Sequence, residues 1–257
     1  IQKMEFTTKI KNYKSAGYTG LFIQTHEEAR LVHELTELGK TTMDGVVFHY
    51  WDLQHGLVCL NQDEKHPENT NNSAALLSYL QTYKGNEDPQ TRASNVFVLK
   101  DFHLHFDKVI NIRLLRNAWN LMKSRGDMIV MVGHKFAIPG ELEKEIQLVD
   151  YDLPTRESIE ERLEYILTSV NRAREHRGRP TLEIPEEIRE ASIEAARGMT
   201  ASEIENAFSI AITTSKNFDK LFVDTVFEEK IAQLKKGGLL TYIPSDLSFA
   251  NVGGLNG

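Results

Sequence analysis

Gly20-Leu21-Phe22-Ile23-Gln24-Thr25-His26-Glu27-Glu28-Ala29-Arg30 changes character halfway along its length. Its first half is a short apolar run of strand type. Thr25 then offers a hydroxyl to cap a helix whose Leu31, Val32, Leu35 and Leu38 form one apolar stripe ending at Gly39. A strand that passes directly into a helix is the unit of parallel sheets, and the pattern recurs. Residues 45–51 form a second strand, rich in β-branched and aromatic residues. Residues 95–99 and 128–132 are continuously apolar, as expected when both faces of a strand are covered, and 146–150 form a fifth. Between them, helical spacing appears over 74–83 and through Ile112, Leu115, Ala118, Trp119 and Met122, with a short leading helix on Phe6, Ile10 and Tyr13. Residues 61–73 and 86–94 read as loops, and 139–144 as a turn of helix. The expectation for residues 1–152 is an α/β core: a five-stranded parallel sheet flanked by helices.

After Leu153-Pro154 every segment has a helical period, so residues 153–237 are expected to form an all-helical subdomain. Its first helix carries Ile159, Leu163, Ile166, Leu167 and Val170, and the basic run Arg172 to Arg179 complements that helix's C-terminal dipole. Pro185 opens the next helix. Thr200-Ala201-Ser202-Glu203 is a capping box ahead of Ile204, Ala207, Phe208, Ala211 and Ile212, and Phe222 to Leu234 form the stripe of a last helix closed by Gly237-Gly238. Residues 238–257 read as a linker. Their end, Ser248-Phe249-Ala250-Asn251-Val252-Gly253-Gly254-Leu255-Asn256-Gly257, resembles the entry to an ATPase module, and with Ile1 in place of an initiator this suggests a fragment of a larger protein.

Charge and composition exclude several classes. Asp and Glu number 37 against 30 Lys and Arg, a net charge of −7 that disfavours nonspecific binding to nucleic acid or anionic membranes. The longest apolar runs fall far short of the roughly 20 residues needed to span a bilayer. A single cysteine, Cys59, excludes an internal disulfide framework and fits a soluble, cytoplasm-like compartment. Cys59 reads as an inert core thiol, and Trp51 and Trp119 as core packing.

A five-stranded α/β core followed by a helical lid is the plan of an AAA ATPase module, whose phosphate chemistry needs particular parts. The loop after the first strand should read G-x-x-x-x-G-K-[ST], because glycines let backbone N–H groups close around phosphates while lysine supplies countercharge. Here Thr25, His26, Glu27 and Glu28 stand in that turn. There is no glycine, and two carboxylates sit where an anion would bind. Gly39-Lys40-Thr41-Thr42 matches the end of such a loop but follows a helix instead of preceding one, and reads as a helix cap. After the third strand, Asp101 stands where a Walker B motif ends, and Phe102 takes the place of the carboxylate that polarises the attacking water. His134 ends the fourth strand, as a sensor residue would.

The string from Phe22 to Arg30, Val98-Leu99-Lys100-Asp101-Phe102-His103, Ile138-Pro139-Gly140-Glu141-Leu142-Glu143-Lys144-Glu145, Gly198-Met199-Thr200, Glu228-Glu229-Lys230, Gly238-Leu239-Leu240 and Val252-Gly253-Gly254-Leu255 occur in an informative order. In these the chain resembles, nearly end to end, the N-terminal half of the AAA ATPases first noted as a conserved chloroplast open reading frame and common in cyanobacteria. The resemblance implies a degenerate AAA-like region without a P-loop, joined to a C-terminal module that carries the Walker motifs and uses ATP and magnesium. The expectation is therefore a scaffold or regulatory domain that is not itself an enzyme and has no cofactor of its own. Its partners would be that module, other subunits of a ring and an unidentified protein.

Two rival readings accompany it. Asp101-Phe102-His103-Leu104-His105-Phe106-Asp107, if extended, would turn Asp101, His103, His105 and Asp107 to one side, a ligand set for a metal-dependent hydrolase. Lys108 stands where the last histidine of an H-x-H-x-D-H signature belongs, and His26, His33, His49, His55 and His66 show no independent metal spacing and read as scattered, the last three through loops. The other rival is a sensor that binds nucleotide without hydrolysing it.

Overall fold

A computed structural model describes residues 6–41, 43, 45–61, 66–83 and 94–236. The chain divides into two compact units, Ile1–Asp152 and Leu153–Gly257. The expected terminator Gly237-Gly238, the linker 238–257 and most of the loop 86–94 lie outside the described residues.

The first unit is a six-stranded sheet with helices on both faces. Its elements are α1 (Phe6–Ser15), β1 (Gly20–Gln24), α2 (Glu28–Thr41), β2 (Val46–Asp52), β3 (Gly56–Cys59), α3 (Ser73–Thr82), β4 (Ser94–Lys100), α4 (Val109–Arg125), β5 (Met128–Gly133) and β6 (Gln147–Asp150). The strand order is β3-β2-β4-β5-β1-β6. All neighbours run parallel except β2 and β3, which are antiparallel. The expected α/β core stands, with one correction: β3 adds a sixth strand, so the sheet is mixed. A four-residue edge strand carries too little periodicity to declare itself, and its pairing depends on a turn set by Asp52. Residues 139–144 are hydrogen-bonded turns instead of helix, with Leu142 N–H donating to Pro139 O and Glu145 N–H to Leu142 O. Helix α2 runs on to Thr41, so Gly39 lies buried inside its last turn, not past its end.

Alternation along the strands supplies both faces of the sheet. Phe22, Phe97, Leu99, Ile129 and Met131 point to one side and pack with Trp51, Leu76, Leu80, Phe102, Leu115, Trp119 and Met122. Their neighbours Leu21, Ile23, Val96, Val98, Val130 and Val132 point to the other and pack with Ile10, Leu31, Leu35 and Phe48. Because both faces are covered, the central strands are apolar throughout, which made them legible as strands. In a sheet of parallel strands the C-terminal ends gather at one edge, and ligands of open α/β folds bind there.

The described residues of the second unit form four helices joined by turns and irregular connections: α5 (Arg156–Glu175), α6 (Glu186–Ala196), α7 (Ala201–Ser215) and α8 (Lys220–Lys236). Helix α8 packs on α7 and α6, and α7 on α5. Ile159, Leu163, Ile193, Ile204, Phe208, Phe222 and Val226 form its core. The capping box is present: Thr200 N–H donates to Glu203 Oε2 at 2.8 Å and Glu203 N–H to Thr200 Oγ1 at 3.4 Å. No described helix is long and apolar enough to cross a membrane.

Candidate functional site at the C-terminal edge of the sheet

The turn between β1 and α2 is held by its own groups. Thr25 N–H donates to Gly133 O at 2.9 Å, and Thr25 Oγ1 accepts from Glu27 N–H at 2.9 Å. The hydroxyl thus closes a local turn two residues long instead of capping the first turn of α2. Glu27 is buried, and its carboxylate accepts from Arg30 Nη1 at 2.8 Å. The same guanidinium reaches Glu34 Oε1 at 2.9 Å and Asp152 O at 3.0 Å, and lies over the Tyr151 ring at 4.6 Å. Glu28 pairs with Lys100 at 2.5 Å, a contact that raises the lysine pKa through its hydrogen bond. Each carboxylate of the turn therefore has a cation. The negative charge expected from the sequence is thus compensated within the protein, by Arg30 for Glu27 and by Lys100 for Glu28. The Arg30 and Lys100 contacts were not foreseen; an arginine three residues after a glutamate in a helix's first turn was the available signal.

A second group of residues lies where β4 and β5 end side by side. Asp101 follows β4 with φ of 53°, in the left-handed region, and its N–H donates to Val132 O at 2.8 Å. Aspartate tolerates that conformation better than most residues, and such backbone outliers gather at functional positions. Phe102 is fully buried and meets Trp51 edge-on at 5.4 Å. Residues Phe102–His105 form a single 3-10 turn.

That turn corrects the metal-hydrolase reading. In an extended segment Asp101, His103, His105 and Asp107 would share a side, but within the 3-10 turn His103 and His105 diverge, while Asp101 precedes the turn in its own left-handed conformation. His105 lies against Trp51 and Phe102 at 5.9 and 5.8 Å, and Asp107 is exposed. The groups that converge are Asp101, His103 and His134, whose ligand atoms lie within 4.8 Å of one another. His103 is only 6% exposed. Its ring occupies the space beside Gly133, where an added Cβ would come within 2.4 Å of Cε1, so this close approach requires glycine. Nδ1 of His103 is buried without a hydrogen-bond partner. Burial, more than the neighbouring His134 and His105, lowers the His103 pKa against the opposing pull of Asp101, and so favours the neutral ring. His134 is exposed, stacks on His26 at 5.7 Å, and is anchored through its carbonyl, which accepts from Gln24 Nε2 at 3.1 Å.

Of the histidines read as scattered through loops, His55 and His66 lie outside helices and strands and one does not. His49 is not in a loop but in β2, fully buried, with Nδ1 2.9 Å from His66 Nε2 and Nε2 3.0 Å from Asn95 Oδ1. Since Asn95 Nδ2 donates to Asp127, its Oδ1 faces His49 as an acceptor, and His49 donates from Nε2. This relay crosses the sheet and takes no part in the cluster at its edge.

Comparison with known proteins places these features. Residues 6–151 match the family model for the N-terminal domain of SpoVK-like AAA ATPases, and residues 158–237 match the model for their second domain. Two curated relatives, described as uncharacterized AAA domain-containing protein ycf46, come from Trieres chinensis and Guillardia theta. They are each 24% identical over 254 and 253 residues, which is 98% of this chain but 47% and 46% of theirs. The chain thus spans about half the length of these relatives. Among solved structures, Caenorhabditis elegans PCH-2 shares the fold with a TM-score of 0.51 at 11% identity, covering 90% of this chain and 70% of that one. A chain from the Escherichia coli MS115-1 HORMA:CdnC:Trip13 complex gives 0.51 at 10% identity, covering 89% and 74%. The expectation that this chain is not an enzyme is corrected by these matches, because both family models describe domains of an ATPase. Matched over nearly its whole length by two adjoining domains of one family, the chain belongs to the SpoVK-like AAA ATPases.

Proposed function

We propose that these two domains are the regulatory and assembly half of an AAA ATPase, in which the β1–α2 turn serves as an ion-paired brace instead of a phosphate cradle. The observation that carries this reading is the engagement of the turn: Thr25 and Glu27 N–H groups donate within the protein, and Arg30 and Lys100 neutralise Glu27 and Glu28. A phosphate loop works because such donors are free to close on the ligand. The sequence also contains no G-x-x-x-x-G-K-[ST]. ATP and magnesium would then bind through Walker motifs elsewhere in the protein, a reading supported by relatives about twice as long as this chain. The domains contribute to turnover by packing against that module, by helping subunits assemble into a ring, and by holding a protein partner.

The test is steady-state ATP hydrolysis and sedimentation of the full-length protein carrying Arg30→Ala. Loss of assembly and a lower kcat at unchanged KM for ATP is the expected result. A raised KM with assembly intact would mean that nucleotide binds at this turn, and the proposal would fall.

A further inference from the structure

We propose that Asp101, His103 and His134 bind a divalent transition-metal ion of the zinc type at the C-terminal edge of the sheet. Three observations converge on it. The ligand atoms of the three residues already lie within 4.8 Å of one another, although they come from two loops. His103 is nine-tenths buried and its Nδ1 has no hydrogen-bond partner. Leaving such a buried polar atom unpaired is costly, and a bond from it to a metal ion would remove that cost. The backbone is also built around these side chains. Asp101 is held in its left-handed conformation by the bond from its N–H to Val132 O. Gly133 leaves room for the His103 ring, and the Gln24 amide fixes the carbonyl of His134.

The donor set selects the metal. Two imidazoles and one carboxylate suit zinc and its neighbours, whereas magnesium and calcium prefer oxygen ligands throughout. Three protein ligands leave a fourth position on the ion for water or for a donor from a partner. The site thus differs from a Mg–nucleotide site in chemistry even though Asp101 stands at the place of a Walker B aspartate. By joining the ends of β4 and β5 it would brace the edge at which α/β folds recognise ligands. All three residues belong to the first unit, and metal binding there is independent of the proposed role in ATPase assembly.

Cobalt(II) provides a spectroscopic probe that needs no assay of activity. The metal-stripped 257-residue chain is titrated with Co²⁺ in excess Mg²⁺, following d–d absorption, and the ion is then displaced with Zn²⁺. One equivalent is expected to bind, with Zn²⁺ displacing it and raising Tm by about 5–10 °C at a hundredfold excess over Kd. His134→Ala removes an exposed ligand and Asp101→Asn a second one, so each should weaken binding at least about tenfold while circular dichroism reports an intact fold. Failure of either metal to bind saturably, or binding unchanged by both substitutions, would overturn the proposal.

Discussion

Arg30 shows how one side chain can decide what a turn does. Its guanidinium serves Glu27, Glu34 and the Asp152 carbonyl at once, and the Glu27 side chain is only 5% exposed. Removing the cation strands a buried carboxylate, which is far costlier than losing an exposed pair. Arg30→Ala is therefore expected to destabilise the first unit by about 3 kcal/mol in urea unfolding. Glu27→Gln in the same background should restore much of that, because the stranded charge is gone. A loss below about 1 kcal/mol, the range of surface pairs, would show that water reaches Glu27. Phe102 makes the complementary case. It has no exposure and meets Trp51, His105 and Phe106, so Phe102→Ala should cost about 3–5 kcal/mol through the cavity it leaves. Phe102→Glu, which buries a carboxylate without a partner in the same packed site, is expected to unfold the first unit, as a drop in its Tm would report.

At the scale of elements, the β2–β3 hairpin is set by Asp52. Its carboxylate accepts from Gln54 N–H at 2.8 Å, from His55 N–H at 2.7 Å and from His55 Nδ1 at 2.8 Å, and Gly56 follows with φ of 71°. Partial burial pushes the Asp52 carboxyl up, but the His55 and Gln54 hydrogen bonds outweigh it and hold its pKa below the ordinary carboxylate value. A carboxyl whose folded pKa is depressed adds stability that is full above the unfolded value and disappears as pH falls through the folded one. Asp52→Asn should then narrow the stability difference between pH 6 and pH 2 and cost about 1–2 kcal/mol at the higher pH, as chemical denaturation at several pH values would show. Equal losses at both ends would mean that the bonds do not depend on ionisation. This hairpin was not legible beforehand, because the antiparallel turn is written in side-chain hydrogen bonds and not in apolar periodicity. The central strands were legible for the opposite reason: burial on both faces leaves Val96–Leu99 and Met128–Val132 apolar without interruption. The site was partly legible. Asp101 and the Thr25–Arg30 turn could be placed by position after a strand, but the approach of His134 to His103 depends on β4 and β5 being neighbours and on a 3-10 turn that period-two reasoning cannot represent.

For the whole molecule, the decisive fact is that each unit has a hydrophobic core of its own. In the second unit Ile159, Leu163, Ile193, Ile204, Phe208, Phe222 and Val226 are all fully buried, with Phe208 stacked on Phe222 at 5.9 Å. Its helix starts are specified locally, by Thr155 before α5 and by the capping box before α7. Local starts and a closed apolar core are the conditions for autonomous folding, although a helical piece of this size has only a few kcal/mol in hand. Residues 153–236 expressed alone are therefore expected to give a helical circular dichroism spectrum and one cooperative thermal transition. Phe208→Ala should abolish that transition, since a buried phenylalanine truncated to alanine costs about 3–5 kcal/mol and the total is no larger. Helical signal that melts gradually in the parent piece would mean that this core is insufficient and that the second unit takes its stability from the rest of the protein.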